Sequence, residues 1–597
     1  MSSPPRSVTL ADWEDFENAI HGLVGRLEPC VIKARAGHVA WDNDAYDFLK
    51  QDCPTATANP KLWRQGQLNS IQGLFEVADG IYQVRGFDLS NMTVVEGRTG
   101  GVIVIDPLIS QECAAAALEL YRKHRGEHRK VAGVIYSHSH ADHFGGALGI
   151  LPVDEEVPII APEGFMEEAT SENVFAGPSM RRRAVSMYGT SLPKGPKGQI
   201  GCGLGMVAST GQDSLVPPTI LVKSTGEEHV IDGVKIVFQM VPGTEAPVEM
   251  NFYFPAQRAL CIAECATQCM HNIITLRGAQ VRDAKAWSRY LDETIVLYGD
   301  GSDVLFGSHN WPTWGQEKLV KLIADQRDLY AYMHDQTVRM MNTGMTGTEI
   351  AEVMTLPPAL QQAWPAQGFY GSLSHNVKGI YQKYMTWFDG NPAHLWQYPP
   401  KEEGERYVLC MGGVDQVVKA AETFSTKGDL RFAATLLGHA VAAQPDHAGA
   451  RQALASVFEK LGFGAENATW RNFYLTGAQE MRSNQNPDWG IATMNTVSPG
   501  LSVEQWFAGL SVEIDGSRAA EENFELDVFV SDVGERWRLI VSNGALTYRK
   551  EAGQAGAGLT LTKAALQRVL EGAKDLGEAD FKGDLTPMRK LLALKQS

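Results

Sequence analysis

A chain of 597 residues with 44% hydrophobic and 21% charged residues has apolar material for several folded domains and no bias towards disorder. A formal net charge of −17 and a pI of 5.4 oppose binding to nucleic acid or anionic membranes, because no basic run reverses that field. The N-terminal MSSPPRSVTLADWEDF lacks a signal-like apolar core and no long apolar segment follows, so a cytoplasmic location without stable membrane insertion is expected.

Residues 1–75 read as an N-terminal arm packed on the main domain, with helix-compatible patterning from Leu10 to Leu27. From Phe75 the texture changes to short β-rich runs, LFEVADGIYQVRGF, NMTVVEG and GGVIVIDPL, broken by Gly, Asp and Asn. An Ala-rich helix over 111–124 then leads to VAGVIYSHSHADHFGG, from Val131 to Gly146, where a β-branched strand ends in His138, His140, Asp142 and His143. A strand end is a rigid mount, and alternation sends His138 and His140 to one side. The following turn lets Asp142 and His143 face a second point nearby, so two metals could sit side by side. The segment carries three of the fifteen histidines in the chain, interleaved with a carboxylate, which favours a metal site over a chance surface loop. Asp106, ending GVIVIDP, is placed to orient one of these histidines or else to close a surface turn.

Residues 150–225 read as an irregular, substrate-gating or partner-contacting excursion, with Arg181, Arg182 and Arg183 as a solvated face. Strands return over 228–241. Glu245 then falls on a turn, Glu264 ends the run from Ala259 to Ala263, and His309 follows the apolar run in VLFGSHNWPTWG. Each of these polar residues stands where an apolar run stops. The eight cysteines fit no zinc-ribbon spacing and read as reduced thiols, with Cys261, Cys265 and Cys269 on a packed helical face. After Pro400 four helices are expected, 414–427, 429–443, 447–461 and 467–482, separated by Gly428, Pro445 and Gly462. SNQNPDWGIATMNTVSPG is a linker by composition. Beyond it FELDVFV, ERWRLIV and ALTYRK alternate around an Asn543-Gly544 hairpin, and LTLTKAALQRVLEG runs from strand into helix, an α+β pattern.

The HxHxDH pattern at 138–143 resembles the metallo-β-lactamase superfamily. PGTEAPVEM, HNIITLRGAQVRDAKAWSRYLDE, GSHNWPTWG, FYGSLSHNVKGIYQKYMTWFDGNPA and WRNFYLTGAQEMR are similar to its alkylsulfatases, the zinc-dependent type III sulfatases. The resemblance implies an αββα sandwich over 76–400, a helical dimerisation domain over 401–485, and a linker with an α+β, sterol-carrier-like C-terminal domain over 486–597. It implies a homodimer and two zinc ions per chain, one held by His138, His140 and Glu245, the other by Asp142, His143 and His309, with Glu264 bridging. Alkyl sulfates are the implied substrates. Asn272 and Arg277 match the family's sulfate-binding stretch, and the segment around 370–381 would line the same pocket. There His375 is the candidate general acid, with Tyr370 as a second catalytic candidate and Asn376 and Tyr381 as binding residues. The C-terminal domain is expected to close the substrate tunnel or stabilise the dimer rather than carry lipid. Two other readings are a different hydrolase of the same fold, such as a phosphoesterase or lactonase, and a non-catalytic lipid-binding dimer.

Overall fold

The computed structural model describes residues 13–152, 155–483, 498–551, 558–573 and 581–595. The expected linker lies largely outside these residues. Contacts divide the chain into two compact units, one comprising Met1–Phe165, Met180–Ser214 and Pro218–Ile491, the other Met166–Ser179, Leu215–Pro217 and Ala492–Ser597.

Among its described residues the first unit carries two large sheets and a two-stranded one, Val31–Lys33 with Val39–Asp42. One has eight strands whose spatial order follows the chain, Leu23–Gly25, Gly73–Ala78, Ile81–Arg85, Met92–Glu96, Val102–Ile105, Val131–Ile135, Ile159–Pro162 and Ile220–Val222. The early strands pair antiparallel, and the last four pair parallel with helix Gln111–Arg125 as a crossover between Val102–Ile105 and Val131–Ile135. Parallel strands are covered on both faces, which is why Val102–Ile105 is a continuous β-branched run, buried throughout. Residues before Phe75 also enter this sheet, since Leu23 pairs with Phe75.

The second sheet has six strands, Glu228–Ile231, Val234–Met240, Met250–Phe254, Ala259–Cys261, Val304–Phe306 and Thr313–Trp314. Ile103, Ile105 and Ile135 from the first sheet meet Phe238, Phe252 and Phe306 from the second in one buried cluster, the layer between the sheets. Opposite faces pack on helices, with Leu260, Ile262 and Leu305 against Trp287 and Leu291 of Ala284–Tyr298 and Leu319 and Ile323 of Gln316–Met341. The αββα sandwich is thus present, with the ends of parallel strands brought together at one edge.

Two local expectations are corrected. The segment 150–225 contains helices Phe165–Thr170 and Gly177–Tyr188 joined by a π-turn over Ser171–Phe175. Gly177 and Pro178 look like breakers but occupy the first turn, where proline costs little because its N–H would be unsatisfied anyway. Cys261, Cys265 and Cys269 are buried, but Cys261 ends a strand and the other two lie in a following loop, so they share no helix face.

Helices Val414–Thr426, Leu430–Ala443, Ala448–Gly464 and Ala468–Arg482 fall where the sequence places them, with Asp429, His447 and Asn467 accepting first-turn N–H groups as caps. A further helix, Pro400–Cys410, precedes them and packs through Val408 into the same core. In the second unit the sheet order is Ala545–Lys550, Glu535–Ser542, Phe524–Val530, Leu559–Leu561, Phe581–Gly583. Asn543 and Gly544 take φ values of 49° and 79°, the left-handed pair that a two-residue hairpin of this twist requires. Among the described residues no helix is long and apolar enough to cross a membrane.

Candidate metal centre

The buried strand Val131–Ile135 delivers Tyr136, Ser137 and His138 to the edge of the sandwich, and a 3-10 turn over Ala141–His143 folds the rest of the motif back. That return needs Gly145 and Gly146: a Cβ there would lie 2.2 Å from the Ile109 carbonyl oxygen and 2.1 Å from that of Pro107. From the second sheet come Glu245, on the turn before Met250–Phe254, then Glu264 and His309, which follow Ala259–Cys261 and Val304–Phe306. Asp106, Ala263 and Asn310, each beside a site residue or bonded to one, take φ values of 52°, 47° and 57°. Backbone held in this sparsely populated region is maintained by its surroundings at a cost of about 1–3 kcal/mol each.

Two groups of donor atoms result, His138, His140, Glu245 and Glu264, and Asp142, His143, Glu264 and His309, with each group's atoms within 4.8 Å of one another. In the first, His138 Nε2 lies 3.2 Å from Glu245 Oε2 and 3.3 Å from Glu264 Oε2, and His140 Nδ1 lies 2.8 Å from Glu245 Oε2. In the second, His143 Nε2 lies 3.2 Å from both Asp142 Oδ2 and Glu264 Oε2, and His309 Nε2 lies 3.4 Å and 3.3 Å from the same two oxygens. A tetrahedral ion with bonds of about 2.0–2.1 Å has ligand–ligand edges of about 3.3–3.4 Å, so most of these spacings suit a tetrahedrally held metal ion, the 2.8 Å His140–Glu245 contact being shorter than such an edge. His138 Nε2, His143 Nε2, His309 Nε2 and Glu245 Oε2 are buried without a hydrogen bond, as lone pairs reserved for a cation would be. Glu264 Oε2 stands in both groups, the position of a bridging ligand.

Electrostatics agree with this. Burial alone would raise Glu245, yet Arg282 overrides it and holds the carboxyl at about 2. Burial likewise opposes ionisation of Asp142 and Glu264, but the facing histidines, His143 for Asp142 and His309 first for Glu264, keep both well below the usual carboxylate range. The three carboxylates of the two donor groups thus stay ionised only where positive charge faces them, a charge that Arg282 and the histidines carry here and that bound cations would supply in place of the histidine protons.

Behind the donors stands a second layer of contacts. Asp106 does orient a histidine: its Oδ2 lies 3.0 Å from His143 Nδ1 and accepts from Ser137 Oγ at 2.7 Å and Ser308 Oγ at 2.6 Å. His309 Nδ1 lies 3.1 Å from the Leu89 carbonyl. Bonds of this kind fix the tautomer that presents Nε2.

The sequence reading missed Glu249, His271, Arg282, Tyr188 and Trp470. Glu249 accepts the backbone N–H of Glu245 at 3.0 Å and of Glu264 at 3.1 Å, so one carboxyl ties together two of the three carboxylate-bearing loops. Burial, and then the charge of Glu245, push Glu249 up to about 8, and a bound cation would draw it down again. His271 Nδ1 accepts from Asn272 N at 2.8 Å, so its proton is on Nε2, 2.8 Å from Glu264 Oε1. Arg282 donates to Glu245 Oε1 at 2.5 Å and to the Asn272 carbonyl at 2.7 Å. His271 and Arg282 flank the residues singled out in HNIITLRGAQVRD, and their spacing offered no signal of its own.

Of the sulfate-binding candidates, Asn272 is fully buried beside this layer and its Nδ2 has no partner. Arg277 donates to the Gly278 carbonyl at 2.9 Å and lies near Tyr188, whose hydroxyl is 3.4 Å from that of Tyr370. Burial pushes Tyr188 to about 12, with Arg277 lowering it and Asp142 raising it, so this hydroxyl sits within reach of both charges. Tyr370 also packs edge-on against His271, with centroids 4.9 Å apart.

Three expectations change. His375 is not suited to be a general acid: burial, and then Lys378, push it down to about 3. Its Nδ1 accepts from Trp470 Nε1 at 3.0 Å, so the single proton is on Nε2 and is donated to Asn272 Oδ1 at 2.7 Å. With that proton in place, the 3.2 Å approach of the Ser372 N–H to Nε2 is a contact without a hydrogen bond. Asn376 is spent on structure, accepting from Ile273 N and donating to the His271 carbonyl, both at 2.8 Å. Tyr381 packs against Ile350, Met354 and Val377, away from the donor groups.

Comparison with known proteins extends these findings. Residues 85–309 match the family model of the metallo-beta-lactamase superfamily, 346–484 that of alkyl sulfatase dimerisation, and 492–596 that of the alkyl sulfatase C-terminal domain. A linear primary-alkylsulfatase from a Pseudomonas species is 45% identical over 585 residues, covering 96% of this chain and 86% of that one. An (R)-specific secondary-alkylsulfatase, also from a Pseudomonas species, is 42% identical over 586 residues, covering 97% and 88%. The solved structure of a stereoselective inverting sec-alkylsulfatase from Pseudomonas has a TM-score of 0.93 to this chain at 41% identity, covering 98% and 94%.

Proposed function

Because this chain belongs to the alkylsulfatase family of the metallo-β-lactamase superfamily, we propose that it hydrolyses alkyl sulfate esters to an alcohol and inorganic sulfate. The observation that carries the reading is the pair of four-residue donor groups sharing Glu264, beside the orphaned donor of Asn272. A lipid-binding dimer without catalysis would have no use for seven converging ligands whose second layer is also intact.

His138, His140 and Glu245 would hold one zinc ion and Asp142, His143 and His309 the other, with Glu264 between them. When bound, the ions supply Lewis acidity and lower the pKa of a coordinated water towards about 7. The protein's own groups then decide what is held there. A sulfate monoester carries one negative charge on a tetrahedral head, which needs donors fixed in advance. Asn272 is such a donor: the Trp470–His375 chain locks Oδ1 away from the site and leaves Nδ2 to give a hydrogen bond. Arg277 adds a positive charge of fixed planar shape. Burial keeps the Tyr370 hydroxyl protonated well above its ordinary range, so it serves the departing oxygen by donating a hydrogen bond rather than by releasing a proton.

A homodimer is part of the proposal. The matched dimerisation region contains Trp387, Leu395, Trp396 and Tyr398, exposed by 72%, 60%, 95% and 57%, a density of apolar surface suited to a second copy. Sedimentation of the purified chain as a monomer would remove it. The eight cysteines, all free thiols, support a cytoplasmic location, which cell fractionation tests.

The direct experiment offers purified protein primary and secondary alkyl sulfates, a phosphate monoester and a lactone, with metal content measured alongside. Sulfate release, with slower turnover of the phosphate and lactone, is expected. Turnover of phosphate or lactone alone would replace the reading with another hydrolase of this fold.

A further inference from the structure

A buried arginine away from the donor groups forms no ion pair among the described residues. Arg85, at the end of strand Ile81–Arg85, is 4% exposed, and its guanidinium stacks 3.7 Å above the ring of Phe75. Its Nε and Nη2 are buried without an acceptor, and so is Nε1 of Trp311, itself 4% exposed. Arg85 and Trp311 line one small cavity of about 20 Å³, together with Asn69, Asp88, Asn91 and Asn310.

Most of the other side-chain polar atoms on this wall are already committed. Asp88 accepts Leu89 N and Ser209 N on one oxygen, and Ile109 N and Ser209 Oγ on the other. Asn310 accepts Gln268 N and donates to Asn69 Oδ1 and the Leu204 carbonyl, while Asn91 Nδ2 donates to the Asn310 carbonyl and Asn69 Nδ2 to that of Gly203. What remains, beside Asn91 Oδ1, is three orphaned donors around a full positive charge. Such a charge is costly to bury unless it is paired. Burial drives Arg85 down to about 9, the direction that an adjacent negative charge would reverse.

We propose that the cavity between Arg85 and Trp311 binds one monovalent anion of halide size, held by Arg85 Nε and Nη2 and by Trp311 Nε1. Volume sets the class. A space of about 20 Å³ takes a monatomic ion or a water, whereas sulfate, the expected product, is a five-atom group too large for it. The site abuts the metal centre without belonging to it: Leu89, on the cavity wall, gives its carbonyl to His309 Nδ1, and Asn91 N donates to the Ser308 carbonyl at 2.7 Å. The anion would brace the turn that presents His309.

Bromide is the probe. Crystals of the full chain grown or soaked in bromide should give an anomalous difference peak within hydrogen-bonding reach of Arg85 Nε and Trp311 Nε1. That peak should vanish in Arg85→Met, which keeps an unbranched apolar side chain over Phe75 while removing charge and donors. In solution, the wild-type Tm should rise by about 1–2 °C when gluconate is replaced by chloride at constant ionic strength, and the variant should not respond. No anomalous signal at Arg85 in crystals whose surface bromides are visible would overturn the proposal, leaving only a water in the cavity. Should Arg85→Met fail to fold, the wild-type crystal and the chloride–gluconate comparison decide by themselves.

Discussion

Trp470 donates its indole N–H to Nδ1 of His375 at 3.0 Å, and that single bond determines which end of the Asn272 amide the imidazole holds, Oδ1 at 2.7 Å, leaving Nδ2 without a partner. Reversing the amide would make Asn272 a donor to Nε2, leaving the imidazole with two donors and no proton of its own. A Trp470→Phe variant keeps the ring and loses the donor. Its kcat/KM for an alkyl sulfate should fall about 10–100-fold with metal content unchanged, since an orienting contact is lost and no ligand is. Wild-type kcat/KM in this variant would detach Asn272 from the Trp470–His375 chain.

The depressed pKa of His375 has a sign that can be tested. Folded, it takes a proton only near pH 3; unfolded, near its ordinary value of about 6.5. Between those values the unfolded chain binds the extra proton, so this residue's contribution to stability is full above about 6.5 and is lost as pH falls towards about 3. A His375→Gln variant should show a flatter loss of Tm on acidification than the wild type. Its pH–rate profile should keep the wild-type limbs between pH 5 and 9, because His375 does not titrate there; disappearance of a limb would return it to acid–base chemistry.

Glu249 holds the backbone N–H groups of Glu245 and Glu264 at 3.0 Å and 3.1 Å, so it sets the distance between two of the three carboxylates. In Glu249→Gln an N–H pair replaces one of those acceptors, and one of the two amides must lose its partner. Metal affinity, measured by competition with a chromogenic chelator, should weaken about 10–100-fold. An unchanged affinity would mean that the two loops are held by their strands alone.

Much of the architecture was legible because periodicity and burial coincide. Val102–Ile105 and Val131–Ile135 are apolar, largely β-branched runs that give way to polar residues, and the seven candidate ligands, from His138 to His309, stand in the turns and loops that follow strands. Glu249 was not legible: an isolated carboxyl in APVEM carries no spacing signal, and only the fold brings Glu245 and Glu264 to it. His375 misled for a related reason. Its type and place in SLSHNVKG suggest acid–base chemistry, but the partner that consumes its lone pair, Trp470, lies 95 residues away in a helix of another region. Helix Gly177–Tyr188 was hidden by Gly177 and Pro178, breakers in a helix interior but acceptable at its start.

Arg277 supplies charge next to the Tyr188–Tyr370 pair, donates to the Gly278 carbonyl, and belongs to neither group of metal-donor residues. Arg277→Ala should therefore retain both metals while losing at least about 100-fold in kcat/KM for alkyl sulfates, the order expected when a charge-assisted contact to an anionic group is removed. Loss of metal along with activity would place Arg277 in the scaffold of the centre instead of in substrate recognition.

Release of inorganic sulfate from a medium-chain alkyl sulfate by the purified, metal-loaded chain tests the whole account most directly. Stoichiometric sulfate and alcohol, abolished in His138→Ala and in Glu264→Gln, is the predicted result. Protein that carries about two zinc ions per chain and yet releases no sulfate from primary or secondary esters would contradict it.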